Sequence, residues 1–467
     1  MKLTIPITVQ KMLGILSKAD FEAYIVGGSV RELLLDRPVK DWDITTSATP
    51  DQIMPLFKGS FYDNNFGTVM IAPQQVIRQL KTKDQPQDFD TFDITTFRLE
   101  YGYADKRRPD KITWGKTLEE DLKRRDFTIN AMALKLQVDK PKSSQSQVEG
   151  MVIDPFHGQV DLKDKLIKAV GKADERFSED ALRMMRAIRF ASQLGFTIEP
   201  KTLKAIESNA SLLQHISWER IRDEFLKTIS SDYPVDGILT LYSTGLLQYI
   251  MPEMIETRQV PQAGRHKLDV WNHSLESLRH CASTNPIVRL ATLIHDIGKP
   301  LAFREGGPRG VTFYGHEVVG ARIAGKIADR LKLSNAQKEK LIILVRWHMF
   351  VYEPHMTDAA IRRFIKRVGK DNINDMMLLR VGDRKGGGSK ATSWRLRELQ
   401  KRIGEQFYEP MSPRDLKING HDIMKELKLK PGPKVGQIID QLFEEVMEDS
   451  KLNTKSKLLK RAKELNS

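Results

Sequence analysis

Strand-like sequence is confined to the first third of this 467-residue chain, and from about Asp161 onward helical periodicity replaces it. Up to Phe156, five β-branched or alternating runs stand between Gly, Pro and Asp clusters: Ala23–Gly28, Asp41–Thr46, Phe66–Ala72, Phe92–Leu99 and Ile129–Val138. The polar stretches Lys81–Asp90 and Asp139–Gly150 read as surface loops between strands. The N-terminal MKLTIPITVQKMLGIL has the spacing of a first amphipathic helix and lacks a signal-peptide pattern. Such segregation of strands from helices predicts an α+β chain with a small mixed sheet at its head. Four segments follow: a head over 1–156, a helical neck over 157–258, a histidine-rich helical segment over 259–388 and a helical tail over 389–467. Gly386–Gly388 and the following SKATS read as a hinge.

Charge narrows the partner. A net charge of +14 favours a polyanion, bound through phosphates in a salt-dependent way. No apolar run approaches the roughly 20 residues of a membrane span. Cys281 is the one cysteine, which excludes an internal disulfide framework and a thiolate zinc cluster. A cytoplasmic enzyme that binds nucleic acid, without membrane contact, is the expectation; oligomeric state, monomer or homodimer, is not written in the sequence.

The strongest local signal is Ile25-Val-Gly-Gly-Ser-Val-Arg31 followed by Asp41-Trp-Asp43. Gly27 and Gly28 would let backbone approach a triphosphate, with Ser29 and Arg31 at the start of a helix whose free N–H groups favour phosphate. Asp41 and Asp43, two apart on a strand, present carboxylates on one face, the arrangement for gripping hard divalent ions. Either element alone could be a Gly-Gly turn or a surface pair of acids; their order makes the combination specific.

Two further blocks, Arg124-Arg-Asp-Phe-Thr-Ile-Asn-Ala-Met-Ala133 and Glu179-Asp-Ala-Leu-Arg-Met-Met-Arg-Ala-Ile-Arg-Phe190, complete a set that resembles the class II tRNA nucleotidyltransferase and bacterial poly(A) polymerase family. The resemblance covers roughly the first half of the chain. It implies a polymerase-β-like nucleotidyltransferase head, a helical neck, and Mg2+ held by Asp41 and Asp43. It also assigns ribose recognition to Arg125, Asp126 and Asn130, with Arg124 open to a purely structural role. Glu179–Phe196 reads as one amphipathic helix stopped by Gly195, with Asp180, Arg183, Arg186 and Arg189 along one side. A solvated basic stripe would explain the arginines. The family implies that Asp180 and Arg183 read the Watson–Crick edges of CTP and ATP, so that protein replaces a template. Asp93, on a neighbouring strand, is a candidate third metal carboxylate.

Arg98–Asp110, rich in Gly, Tyr and charge, reads as a flexible loop and resembles the one used to switch from C to A addition. That argues against a CC-only enzyme. Full CCA addition to tRNA is the favoured reading, with terminal-A addition and poly(A) synthesis as alternatives.

In the third segment, His273, His295-Asp296 and Asp383 have the order of the HD phosphohydrolase signature, which this segment resembles. The resemblance implies a divalent transition metal there, with His316 and His348 as ligands of a second ion. Hydrolysis of phosphomonoesters or 2′,3′-cyclic phosphates, and a module that only binds metal or RNA, are both open. An HD phosphohydrolase with a non-catalytic RNA-binding head is the weakest reading, because it leaves Asp41 and Asp43 idle. In the tail, Leu416–His421 and Lys430–Gly436 resemble the body-to-tail transition of the same tRNA enzymes, and the lysines of the last helix would meet tRNA backbone.

Overall fold

The computed structural model describes residues 2–63, 67–101, 111–137, 147–262, 268–307 and 310–466. The chain divides into two compact units, Met1–Ile250 and Met251–Ser467. The short helix Pro252–Ile255, placed by sequence in the neck, goes with the second unit, where Glu253 pairs with both terminal nitrogens of Arg330.

In the first unit the strands are β1 (Lys2–Thr4), β2 (Ala23–Val26), β3 (Trp42–Thr46), β4 (Ser60–Asp63), β5 (Thr68–Ile71), β6 (Phe92–Thr96), β7 (Arg98–Tyr101), β8 (Lys111–Trp114), β9 (Ala133–Leu136) and β10 (Gln147–Ile153). Among the described residues eight of them form one sheet in the order β1-β10-β9-β2-β3-β6-β5-β4. Only β3 and β6 run parallel within it, so the sheet is mixed, as expected. Their register sets Asp43 opposite Asp93. Ile25, Ile44 and Ile94 fill the core with no exposed surface.

Four local expectations change. The Ile129–Val138 run is strand only over β9, because Thr128–Asn130 turns as a 3-10 segment with Thr128 Oγ1 bound to buried Asp161 at 2.6 Å; Asn130 is a turn residue. Gln147–Gly150, read as the end of a loop, already belongs to β10; residues 139–146 of that loop lie outside the described residues. Arg98–Tyr101 and Lys111–Trp114, the flanks of the supposed flexible loop, pair as an antiparallel ribbon, while 102–110 lie outside the described residues. Finally, the single helix over Glu179–Phe196 is two. Ala173–Glu179 ends, Asp180 is extended at φ −142°, ψ 104°, and Leu182–Leu194 begins afterwards, closing on left-handed Gly195. The break follows from Asp180's own side chain, whose Oδ1 accepts the Leu182 N–H at 3.1 Å in place of a continuing helix.

Among the described residues the second unit is mostly helical, with one short ribbon (Arg304–Gly307 with Gly310–Thr312) that the sequence did not announce. Helices Val270–Arg279, Pro286–Ile294, His316–Arg330, Asn335–Trp347 and Ile373–Gly386 carry the histidine-rich segment. The glycine run is not simply a hinge. Gly386 closes the last of these helices, and a Cβ there would stand 2.4 Å from Ser277 Oγ, so the glycine permits close packing on the Val270–Arg279 helix. Beyond Gly420, three helices (Gly420–Leu427, Pro433–Glu448, Lys455–Asn466) bury Ile423, Val435, Ile438, Leu442 and Leu458 in a core of their own. Pro433 starts the middle helix where Pro-Gly-Pro predicts a break.

Candidate active site and metal centre

A cleft of about 620 Å³ in the first unit is lined by Gly27, Gly28, Arg31, Asp41, Asp43, Arg125, Asp126, Asn130, Asp180, Arg183, Arg186 and Arg189. All three sequence blocks therefore reach one cavity. At one end, Gly27 turns from β2 into the Gly28–Leu34 helix with φ +67°, and a Cβ there would lie 2.7 Å from Arg125 Nη1. A glycine is what lets the guanidinium pass over the backbone. Ser29 lies in the first turn of that helix, as expected, and its buried hydroxyl donates to Asp41 O at 2.9 Å and accepts from Asp43 N at 3.0 Å, so it braces the acid pair.

Asp43 is half-buried between neighbours of its own sign. Burial pushes its carboxyl up to about 6, Arg125 opposes this, and Asp93 and Asp41 add to it. Burial and Asp41 likewise raise Asp93, whose Oδ1 is buried with no hydrogen-bond partner. Three crowded carboxylates with an unsatisfied oxygen are what a divalent cation at this position would relieve.

The far end is built by the arginine row, and it is not a solvated stripe. Arg183 and Arg189 are buried, and each arginine has an acid: Glu179 for Arg183 at 2.6 Å, Asp126 for Arg186 at 2.6 Å, Glu224 for Arg189 at 2.5 Å. Despite full burial, Arg186, with help from Asn130, holds the Asp126 carboxyl down to about 2. Arg31 donates to Asn130 Oδ1, closing a chain from the glycine turn to the Arg124–Ala133 block. Phe190 packs beneath the guanidinium of Arg189, 4.0 Å from ring centre.

Three partners escaped the sequence reading. Asp121, fully buried, meets Arg124 at 2.6 Å and Arg125 at 3.3 Å. Its pKa is lowered because those two cations outweigh the burial. Its helix, Leu118–Lys123, opens on a Thr117–Glu120 capping box, and that signal was legible. Glu224 and Arg220 come from the Trp218–Ile229 helix, and no local pattern announces their long-range pairing with the arginine row. Arg220 also lines the cleft.

In the second unit the structure brings together all six predicted residues. His273 Nε2 stands 3.2 Å from His295 Nε2 and 3.2 Å from Asp383 Oδ1. Asp296 Oδ2 lies 3.3 Å from His295, while its Oδ1 lies 3.3 Å from His316 and 3.6 Å from His348. His295, His316 and His348 each contact a backbone carbonyl through Nδ1, of Thr292, Phe313 and Val345, at 2.7–2.8 Å. A carbonyl only accepts, so each ring is protonated on Nδ1 and turns a lone pair on Nε2 inward. The His316 and His348 Nε2 lone pairs, 3.4 Å apart, repel unless a proton or a cation lies between them. Two overlapping ligand triads result, His273–His295–Asp296 and Asp296–His316–His348, with Asp296 common to both. Burial would raise Asp296 and Asp383, yet both are lowered, Asp296 by His295 and Lys299, Asp383 by His273, His295 and Arg380.

Three family models match: the poly A polymerase head domain over residues 23–168, a polymerase A region for RNA and SrmB binding over 195–257, and a second domain of tRNA nucleotidyltransferases over 326–462. A CCA-adding enzyme of Levilactobacillus brevis is 45% identical over 260 residues, 56% of this chain and 56% of the relative. The chain thus spans about half the length of that relative and others like it. A CCA-adding enzyme of Limosilactobacillus reuteri is 33% identical over 454 residues, 96% of this chain and 94% of its own. Among solved structures, the CCA-adding enzyme of Bacillus stearothermophilus in complex with CTP aligns with a TM-score of 0.70 and 26% identity, over 98% of this chain and 97% of that one. The CCA-adding enzyme of Thermotoga maritima complexed with tRNA shares the fold at 18% identity and a TM-score of 0.55, over 98% of this chain and 94% of that one.

Proposed function

Because this chain belongs to the CCA-adding family of tRNA nucleotidyltransferases, we propose that it adds CCA to the 3′ end of tRNA from CTP and ATP without a nucleic acid template. One observation carries this reading: a single cleft joins the Asp41 and Asp43 carboxylates, with Asp93 opposite Asp43 in the sheet, to Asp180 and Arg183. The family implies divalent-metal dependence, and Asp41 and Asp43, with Asp93 beside them, fit Mg2+ through their crowded oxygens. Bound there, Mg2+ supplies activation of the attacking 3′-hydroxyl and neutralisation of the leaving pyrophosphate. The remaining roles belong to side chains. Gly27 and Gly28 let the triphosphate approach, Arg31 and Arg125 meet its charge, and Asp126 with Asn130 receives the ribose. Asp180 accepts from the amino group of cytosine or adenine, and Arg183 donates to the adjacent ring nitrogen. Arg186 and Arg189 hold that base-reading edge in place through Asp126 and Glu224.

The second unit contributes a divalent-metal site of a different kind. His273, His295, Asp296 and Asp383 suit a transition metal, and His316 with His348 suits a second ion sharing Asp296, because imidazole nitrogens are softer donors than carboxylates alone. A metal held there supplies a hydroxide for phosphoester hydrolysis, and phosphates left on damaged tRNA ends are the substrates in keeping with it. The lysines of the Lys455–Asn466 helix suit tRNA backbone, and a single buried cysteine suits the reducing cytoplasm.

The test offers the purified chain three tRNAs, one lacking CCA, one ending in C and one ending in CC, with CTP, ATP and Mg2+. Full addition to all three is expected. Failure to add C to the first two would leave only terminal-A addition, and untemplated adenylation of unrelated RNA would favour poly(A) synthesis.

A further inference from the structure

Asp180 is more than an acid in a basic cleft. It occupies the extended break between two helices, and its carboxylate is gripped from a third. Arg220, in the first turn of the Trp218–Ile229 helix, donates Nη2 to Oδ2 at 2.7 Å and Nη1 to Oδ1 at 3.3 Å. One further bond, from Leu182 N–H to Oδ1, fixes the third direction. The helix that carries Arg220 also carries Glu224, which holds Arg189 farther along the base-reading helix. Two ion pairs therefore tie the Trp218–Ile229 helix to this segment, one at Asp180 in the break and one at Arg189 within the helix that follows.

We infer that Arg220 is a positioning residue for base selection: its two-pronged grip fixes the Asp180 carboxylate as a hydrogen-bond acceptor facing the cleft. This deepens the assignment of Asp180 to base reading and rests on it. A carboxylate oxygen has two lone pairs, and the guanidinium takes one from each, so acceptor capacity remains. Held this way the side chain can neither rotate away nor offer a donor. Cytosine and adenine present an amino group at the corresponding edge, whereas uracil and guanine present a carbonyl oxygen. A fixed acceptor attracts the first pair and repels the second. A carboxylate released from Arg220 could turn aside or admit a bridging water, and a carbonyl-bearing base would then be tolerated. Lysine, a single-point donor, cannot reproduce the fork.

The experiment compares full-length wild type with Arg220→Gln, Arg220→Lys, Asp180→Ala and the double variant Asp180→Ala/Arg220→Gln. It measures kcat/KM for CTP against UTP on tRNA lacking CCA, and for ATP against GTP on tRNA ending in CC. Arg220→Gln is expected to lower both preferences by about tenfold, mainly through the KM of the correct nucleotide, with Arg220→Lys in between. The double variant should be no less selective than Asp180→Ala alone, because Arg220 acts through Asp180. Equal loss of rate for all four nucleotides, with preference intact, would reduce Arg220 to a support of the fold and overturn the inference. Additive loss in the double variant would overturn it as well. Should Arg220→Gln fail to fold, Arg220→Lys decides. Equilibrium binding of CTP against UTP reads the same selectivity without transfer. A wild type that extends no tRNA would thus refute the proposed reaction, while the binding ratio would still decide the role of Arg220.

Discussion

Replacing Asp126 by Asn tests whether the arginine row is held by charge. The carboxyl is buried, accepts from Arg186 at 2.6 Å and from Asn130 at 3.2 Å, and is held down to about 2 from an ordinary value of 3.8. A difference near two pKa units corresponds to about 2.5 kcal/mol. The sign follows from the depressed value. The ionised form stabilises the fold above the unfolded pKa near 4, and that contribution fades as pH falls through 2. Near pH 3 about half of it should remain. Urea unfolding of the full chain, followed through tryptophans of the first unit such as Trp42 and Trp218, gives the stability difference between wild type and Asp126→Asn. It should be about 2.5 kcal/mol at pH 7 and roughly half that at pH 3. An Asn side chain preserves volume, so packing should not confuse the comparison. A difference that stays the same at both pH values would show that the charge plays no part. A difference below about 0.5 kcal/mol at pH 7 would return the row to the solvated stripe that its sequence alone allows.

Other consequences follow from the same geometry. Asp43 is raised to about 6 by burial and by Asp93 and Asp41, so in chelator its repulsion weakens as pH falls through 6 and the first unit should gain stability there. Asp43→Asn should abolish nucleotide addition while leaving the melting temperature in chelator unchanged or higher; a lower one would contradict the crowding. Gly27→Ala places a Cβ 2.7 Å from Arg125 Nη1 at φ +67°, and nucleotide addition should drop by about tenfold or more, measured as kcat/KM for CTP, with wild-type activity arguing against a tight phosphate turn. His295→Ala should lower the transition-metal content found by elemental analysis and remove any phosphatase activity. CCA addition should persist, and its loss would tie the two units together.

What the sequence disclosed and what it hid divide along one line. Local pattern was legible: the glycine turn, the acids Asp41 and Asp43 at the start of β3, the Arg124–Ala133 block and the order of histidines are short patterns that the fold brings to the cleft and the histidine cluster. Long-range partners were not. Glu224 lies on a helix with an ordinary amphipathic pattern, and Arg220 looks like one more surface arginine, since nothing near them in sequence registers the contact with Asp180 or Arg189. The break at Asp180 was missed for a related reason. Periodicity ran smoothly through it, and the competing bond that the Leu182 N–H donates to the Asp180 carboxylate, itself held by a guanidinium from another helix, stops the turn. The role of the Ser29 hydroxyl was hidden for the same reason, since its partners are the backbone groups of Asp41 and Asp43 twelve and fourteen residues away.

On the proposed reading, the partners that sequence could not show would explain how a protein surface stands in for a template. Complementary bases discriminate because their donors and acceptors are held rigid by stacking and the sugar-phosphate chain. Arginine and aspartate side chains are flexible, and a free pair could follow uracil or guanine by rotating. In this cleft that freedom has been removed before any nucleotide arrives: Arg183 is tied to Glu179, Arg186 to Asp126, Arg189 to Glu224, and Asp180 to Arg220. Each tie spends part of a side chain's bonding capacity and fixes the direction of the rest, which is the condition for electrostatic preorganisation. On the proposed reading, selectivity between bases would rest on how stiffly these side chains are held as much as on which ones touch the base. For that reason, disturbing a partner one contact removed from the nucleotide should alter the choice of base and not only the rate.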